Sequence, residues 1–329
     1  MLDIIITHYE EDWTVCRKQF RMLDLQRCVD WEQVHVMVIN DGGQHIPEDK
    51  LEDLCFPVKQ IDIPHGGVSM ARNAGIENAT EPWIMFCDCD DSFANIYALN
   101  DIMNILRMED TESRFDMMWC DIVEEDCING AQMLCMVPYS TIFVFCHGKV
   151  YRRRFLTDES IRFDSDLRFN EDSCFNAVII ARTPHTRIGQ IRTHAPVYAW
   201  IRRENSVTTG TDAQDAGAWG QFHRNMKVTE ENRLHRADEN YAGMVTRTAY
   251  DTYYMMHDRR ISPQMKRRIS DEFIPWIRGQ AEAFGRVRKE ILEQIREVSR
   301  SELVEPGEKV PDSHEDVRAW VNKITGVKV

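Results

Sequence analysis

The first ninety residues alternate between short apolar runs and longer segments in which apolar residues recur at helical spacing. Mostly apolar runs with the length of β-strands occupy residues 2–6, 34–39 and 84–87, and residues 58–63, in which apolar and polar residues are mixed, are predicted as the third strand. Between them, the pattern predicts helices over residues 12–28, 47–54 and 68–79. Strands that alternate with helices in this order predict an α/β fold, with a mostly parallel central sheet flanked by helices.

After residue 95 the spacing of apolar residues predicts helices and strands in no regular alternation, and after residue 209 it predicts helices alone. The mixed part predicts helices over residues 97–108, 148–155 and 173–181, and strands over residues 115–123, 133–139 and 197–201. The last part predicts helices over residues 213–235, 238–258, 263–284, 286–299 and 313–324. We therefore expect an α/β domain over residues 1–210 and an α-helical C-terminal domain over residues 211–329.

Acidic side chains follow two of the predicted strands. Asp88, Asp90 and Asp91 come directly after a buried run, and Asp41 ends the second strand within Asn40-Asp41-Gly42-Gly43. Parallel strands end at one edge of a sheet, so these acids should converge there. Two carboxylates that lie close together repel unless a cation separates them, and their oxygens suit Mg²⁺ or Mn²⁺. The alternative is a set of solvated acidic turns.

A glycine pair precedes the third predicted helix. The segment His65-Gly66-Gly67 leads into the helix that carries Arg72, so its backbone amides and the helix N-terminus could hold a diphosphate. The segment lacks the Lys-Ser/Thr of a P-loop. A simple helix-capping turn is the alternative interpretation.

Two further charged pairs lie beyond the acidic cluster. Glu171 and Asp172 open a predicted helix, where a carboxylate can serve as a general base or only complement the helix dipole. Arg202 and Arg203 follow the last predicted strand, where they could contact phosphates or only solvent.

Composition narrows the classes of protein. The chain has 329 residues, of which 43% are apolar, and this suffices for a full hydrophobic core. The net charge of −14 disfavours nonspecific binding to nucleic acid or to anionic membranes. The sequence shows no membrane-spanning run, no signal-peptide pattern and no Cys-x-x-Cys pair. We expect a cytoplasmic protein with reduced cysteines and no zinc site.

Six short motifs follow one another between residues 7 and 172. They are Thr7-His8-Tyr9-Glu10, Asn40-Asp41-Gly42-Gly43, Ser69-Met70-Ala71-Arg72-Asn73-Ala74-Gly75, Phe86-Cys87-Asp88-Cys89-Asp90-Asp91, Gly148-Lys149-Val150-Tyr151-Arg152-Arg153 and Asn170-Glu171-Asp172. In order and spacing they resemble the motifs of the family-2 glycosyltransferases, which have the GT-A fold. The chain departs from the family pattern at Gly43, Asn170 and His147, where Ser, Gly and Trp are usual.

The resemblance implies an inverting, metal-dependent transfer of sugar from a nucleoside-diphosphate sugar, in particular a UDP-sugar, to an acceptor hydroxyl. It assigns the catalytic base to Asp172, with Glu171 second, and a Mn²⁺ or Mg²⁺ ion to Asp90 and Asp88. The positions that it assigns to the nucleotide-sugar are Thr7, His8, Tyr9, Glu10, Asp41, Gly67, Arg72, Asn73, Asp88 and Arg203.

The acceptor and the role of the helical domain stay open. The acceptor could be a glycan, a lipid-linked glycan, a protein or a modified nucleic-acid base, and residues 211–329 could shape the acceptor pocket or join subunits of a homo-oligomer. A nucleotidyltransferase is one alternative, although it would usually carry a glycine-rich basic loop after the first strand. A non-catalytic module that binds nucleotides or sugars is the other, although it would not need Glu171 and Asp172.

Overall fold

The structure, a computed structural model, describes residues 1–112, 114–128, 131–202, 213–236, 240–284, 286–306 and 308–326. It contains two compact units, Met1–Ser206 and Val207–Val329. The predicted boundary near residue 210 lies among residues 203–212, outside the described residues.

The first unit is organised around a seven-stranded sheet. Its strands are β1 (Leu2–His8), β2 (Val34–Asp41), β3 (Val58–Ile63), β4 (Trp83–Asp88), β6 (Met117–Trp119), β9 (Lys149–Arg152) and β10 (Ile188–Gln190). Their order across the sheet is β10-β6-β9-β4-β1-β2-β3, and only β9 runs antiparallel to its two neighbours. The prediction of a mostly parallel central sheet is confirmed.

Strand β1 lies inside the sheet, between β4 and β2, and both of its faces are apolar. Ile4 and Ile6 pack into one hydrophobic core, and Ile5 packs into the other. The second core lies under α3 (Val68–Asn78). A Cβ atom on Gly75 of this helix would come within 2.4 Å of Ile5 Cγ2, so glycine allows the close approach of α3 to the sheet.

The remaining helices of this unit confirm most of the pattern. They are α1 (Trp13–Asp24), α2 (Glu48–Leu51), α4 (Ala98–Glu112), α5 (Arg153–Asp158) and α6 (Glu171–Arg182). Asp12 caps α1 by accepting a hydrogen bond from the Thr14 amide. Helix α1 ends at Asp24, before the predicted end at residue 28.

The prediction of a single strand over residues 115–123 is wrong, because part of this segment belongs to a second, smaller sheet. That segment forms two strands in different sheets, β6 in the large sheet and β7 (Ile122–Ile128) in the small one. The small sheet has the order β5-β11-β7-β8, where the other strands are β5 (Ser92–Phe93), β8 (Ala131–Met136) and β11 (Tyr198–Ile201). The predicted helix over residues 148–155 was also partly wrong, because Lys149–Arg152 is β9 and helical structure begins only at Arg153.

The second unit is helical over its described residues, as predicted. Its helices are α7 (Ala213–His235), α8 (Tyr241–His257), α9 (Pro263–Gly279), α10 (Ala281–Phe284), α11 (Lys289–Leu303) and α12 (His314–Thr325). Helix α8 is central and contacts the other five helices. Its tyrosines Tyr250, Tyr253 and Tyr254 are buried, which makes them core residues. Across the described parts of the chain, every helix falls short of the length or the apolar character that a bilayer crossing demands.

Candidate active site

The predicted site residues meet at the carboxyl ends of the parallel strands. Strand β4 ends at Asp88, which is paired in register with Thr7 of β1, and the Thr7 hydroxyl donates a hydrogen bond of 3.0 Å to the Asp88 carboxylate. Strand β2 ends at Asp41. The sheet therefore delivers both acidic loops to one edge, where open α/β sheets bind their ligands.

Arg72 connects the two groups of acids. Its guanidinium lies 3.0 Å from Asp88, 3.1 Å from Glu171 and 2.5 Å from Asp172. Arg72 is only 2% exposed, so these ion pairs are screened little by water. It stands in the second turn of α3, close to Ser69, which is also buried. One buried cation thus joins the strand-end acid to the acid pair of α6.

The acids around Arg72 differ in their affinity for protons. Burial and the neighbouring Asp172 raise the pKa of Glu171 to about 7. Burial also opposes ionisation of Asp88, but the Arg72 charge outweighs it and lowers the pKa of that carboxyl. The site therefore holds an ionised Asp88 beside a glutamate that can exchange a proton near neutral pH.

The backbone before α6 fixes the direction of Asp172. Asn170 precedes the helix in the left-handed conformation, with φ of 63°, a region that Asn tolerates. Asp172 then stands in the first turn, where its Oδ2 accepts a hydrogen bond of 2.9 Å from the Cys146 amide and its Oδ1 contacts Arg72. Both of its carboxylate oxygens are held, and its side chain is 14% exposed.

Asp91 lies beneath the cluster rather than on its surface. Tyr198 on β11 donates a hydrogen bond of 3.0 Å to Asp91 and accepts one of 2.9 Å from the Asp88 amide. Burial and the Asp88 charge raise the pKa of Asp91 well above its usual value. Asp90 is half-buried.

Asp41 shapes the glycine loop in front of α3. Its two oxygens accept hydrogen bonds of 2.7 Å and 2.8 Å from the amides of Gly66 and Gly67, and His65 Nδ1 lies 3.0 Å from the same carboxylate. Gly67 has φ of +87°, which a side chain would strain. The two amides that were expected to bind a diphosphate thus donate hydrogen bonds to Asp41 instead. Asp41 thereby stabilises the loop that precedes the N-terminus of α3.

The other residues that were predicted to bind the nucleotide-sugar lie near this loop or form hydrogen bonds within the structure beneath it. His8 is buried between Asn40 Oδ1 and the Glu11 carbonyl, and Tyr9 stacks on His65 with ring centroids 4.2 Å apart. Glu10 is exposed. Asn73 holds the backbone of residue 163 by donating to its carbonyl and accepting from its amide, both at 2.8 Å. Arg203 lies outside the described residues.

Sequence reasoning assigned no role to His147, although it noted the departure from the family pattern. His147 is 4% exposed and stacks between Phe145 and Tyr198, with centroid distances of 5.1 Å and 4.9 Å. Neither ring nitrogen has a hydrogen-bond partner among the described residues. Burial lowers the pKa of His147 to about 4 even though Asp88 lies nearby.

Two sets of side chains have the spacing of a metal site. The first contains Asp88, Asp91 and His147, and the second contains Cys146, His147 and Asp172. In each set the candidate ligand atoms lie within 4.8 Å of one another. Among the described residues the strand-end acids can therefore hold a divalent cation, and the donor set includes a nitrogen that the sequence analysis did not anticipate.

Residues 3–112 match the family model for glycosyl transferase family 2. The chain is 25% identical over 179 residues to the uncharacterized glycosyltransferase EpsJ of Bacillus subtilis strain 168, across 46% of this chain and 51% of EpsJ. It is 30% identical over 105 residues to a teichoic acid poly(glycerol phosphate) polymerase of Staphylococcus epidermidis, across 30% of this chain and 14% of the polymerase. The chain spans about half, or less, of the length of these two relatives.

Solved structures with the same fold cover most of the chain. The crystal structure of S. aureus TarS 1-349 in complex with UDP-GlcNAc has a TM-score of 0.52 at 15% identity, over 95% of both chains. The complex of TarS 1-349 with UDP has a TM-score of 0.50 at 16% identity, again over 95% of both chains. Residues 3–112 are thus similar to the family-2 glycosyltransferases, and the predicted GT-A-like fold is confirmed.

Proposed function

We propose that the chain transfers a sugar from a UDP-sugar to an acceptor hydroxyl with inversion at the anomeric carbon. The observation that carries the proposal is the position of Arg72, which joins Asp88 at the strand ends to Asp172 on α6. Such a transfer needs groups for the donor diphosphate and a base for the acceptor, and these two acids contact the two terminal nitrogens of one buried guanidinium. The similarity to the family-2 glycosyltransferases and the UDP and UDP-GlcNAc complexes of TarS support a uridine nucleotide donor.

On the donor side, the nucleotide would lie across the ends of β1, β2 and β4. Tyr9, stacked on His65 and 41% exposed, offers an aromatic face for the base. Asp41 would keep its position in the glycine loop and orient the helix N-terminus toward the phosphates. A divalent cation bound at Asp88, at the end of β4, would neutralise the charge that grows on the leaving diphosphate.

On the acceptor side, we propose Asp172 as the base and Glu171 as the second choice. Arg72 and the Cys146 amide hold the Asp172 carboxylate from both sides, which fixes it for in-line proton transfer. Glu171 is held through one oxygen, and its raised pKa suits proton exchange near neutral pH. The acceptor hydroxyl would lose its proton as it attacks the carbon opposite the diphosphate, so no covalent enzyme intermediate forms.

The helical unit is the proposed determinant of the acceptor or of oligomerisation. The candidate acceptors are a glycan, a lipid-linked glycan, a protein and a modified nucleic-acid base. The GT-A-like region alone supplies the groups that the donor needs, so a separate unit is available for either role.

Product analysis tests the proposed reaction. The full chain is incubated with a panel of UDP-sugars and Mn²⁺, and free UDP, pyrophosphate and the anomeric configuration of the product are measured. We expect UDP release, with Asp88→Asn as the inactive control. Release of pyrophosphate would instead indicate a nucleotidyltransferase, and binding of nucleotide without any product would indicate a non-catalytic module.

A further inference from the structure

His147 is a buried imidazole whose two nitrogens lack hydrogen-bond partners among the described residues. Burial of a polar atom without a hydrogen-bond partner costs free energy, so each such atom needs an explanation, and a bound ion is one. His8, the other imidazole buried near the strand ends, shows the usual solution, because both of its nitrogens contact protein oxygens. Unlike His8, His147 therefore has ring nitrogens that are available to bind a ligand.

The packing around His147 fixes its ring in place. The ring stacks with Phe145 on one side and with Tyr198 on the other. Tyr198 is itself bonded to the Asp88 amide and to the Asp91 carboxylate, so the ring is held in register with both acids. A ligand whose orientation is set in advance loses little entropy when it binds a cation.

The two possible metal sets differ in access and in chemistry. Asp88 is 28% exposed, so a hydrated cation can reach the first set from solvent. The second set contains the thiol of Cys146, which is fully buried. A thiol must also lose its proton before it can ligate. The first set, with one nitrogen and two carboxylates, is therefore the better cation site.

We propose that His147 is a nitrogen ligand of a divalent cation that also binds Asp88 and Asp91. This donor set departs from the all-oxygen ligands expected from the sequence, which were Asp88 and Asp90. Imidazole nitrogen suits transition metals such as Zn²⁺ and Fe²⁺, Mn²⁺ accepts it beside carboxylates, and Mg²⁺ prefers oxygen ligands alone. The site should accordingly select a transition metal over Mg²⁺. The inference concerns the metal that serves the proposed transferase, but cation binding can be measured without sugar transfer.

Electron spin echo spectroscopy of bound Mn²⁺ tests the ligand directly. The full chain is prepared with ¹⁵N-labelled histidine, loaded with Mn²⁺ and examined without nucleotide, so that histidine is the source of ¹⁵N coupling. We expect ¹⁵N modulation in the wild-type protein and none in His147→Phe, a variant that keeps an aromatic ring between Phe145 and Tyr198. Calorimetry should show that His147→Phe lowers Mn²⁺ affinity by at least about tenfold, while Mg²⁺ binding changes little.

A matched control separates this site from adventitious binding. His35 also stands beside two carboxylates, at 3.3 Å from Asp3 and 3.5 Å from Glu81, but it lies at the other end of the strands. His35→Phe should leave the ¹⁵N modulation intact. Tightly bound Mn²⁺ without ¹⁵N coupling in the wild-type protein would overturn the proposal, and so would coupling that persists in His147→Phe. If His147→Phe fails to fold, His147→Asn gives the same comparison with a smaller side chain.

Discussion

In the helical unit, the buried carboxylate of Asp251 is matched by donors on its own and the neighbouring helix. Arg247 Nε donates to it at 2.8 Å, and Asn225 donates at 2.7 Å. In the α/β unit, one buried guanidinium, that of Arg72, contacts three carboxylates at once. The first arrangement balances charge locally. The second leaves negative charge in excess at a sheet edge, as expected where a cation or a proton is to be bound.

Removal of the Arg72 guanidinium should have the largest effect on stability and on turnover. Arg72→Met would leave three partly buried carboxylates without a counter-ion, so we expect the free energy of unfolding to fall by about 3–5 kcal/mol. UDP release should also fall, by about 10²-fold or more, because the acids lose their orientation. Chemical denaturation and a UDP-release assay measure the two effects.

The matched change in the helical unit is Arg247→Met. Asp251 keeps its bond to Asn225 there, so the expected loss of stability is smaller, about 1–3 kcal/mol, and turnover of the folded protein should not change. Equal losses of stability in the two variants, or an Arg72→Met protein with normal turnover, would remove the distinction between the units.

The proposed base gives the next prediction. Asp172→Asn keeps the size of the side chain and removes the proton acceptor, so kcat should fall by roughly 10²–10⁴-fold while affinity for the UDP-sugar stays nearly the same. Steady-state kinetics and calorimetry with UDP measure the two quantities. Glu171→Gln is the paired variant. If that variant loses kcat and Asp172→Asn does not, the base is Glu171.

The pH dependence of stability offers a test without substrate. The folded state holds the Glu171 proton more tightly than the unfolded chain does, because the pKa rises from 4.5 to about 7. Between these values the folded state binds more protons, so this residue makes stability fall as the pH rises from about 4.5 to 7. Glu171→Gln should flatten that slope in denaturation curves measured across the range. Parallel wild-type and variant curves would show that Glu171 titrates normally.

Strands β1, β2 and β4 were predictable because each is a largely apolar run that is buried on both faces. The segment over residues 115–123 was predicted as one strand because no Gly or Pro interrupts it, yet β6 and β7 enter different sheets. Strand β9 was missed because Lys149 and Arg152 suggested a surface helix. Lys149 is in fact fully buried and donates to the carbonyl of Ile142 at 2.6 Å.

Some features of the candidate site could likewise be predicted from the sequence, and others could not. The acids at the strand ends could be predicted from the sequence to lie together, because parallel strands all end at the same edge of a sheet. The contacts of Arg72 with three acids depend on how α3 and α6 pack, which no local pattern encodes. The unpartnered nitrogens of His147 are also a property of packing, and a single substitution in a motif was the only sequence signal for them.

The smallest expected effect concerns a helix cap in the helical unit. Ser313 Oγ accepts a hydrogen bond of 3.1 Å from the Asp316 amide, and Asp316 Oδ2 accepts one of 3.0 Å from the Ser313 amide, so the pair forms a capping box for α12. Ser313→Ala should lower the free energy of unfolding by about 1 kcal/mol, and Ser313→Asn should recover most of it because Asn also caps helices. Turnover should stay at the wild-type level, since local hydrogen bonds in this unit serve stability. A fall in turnover in a folded Ser313→Ala protein, with unchanged UDP affinity, would instead tie α12 to binding of the acceptor.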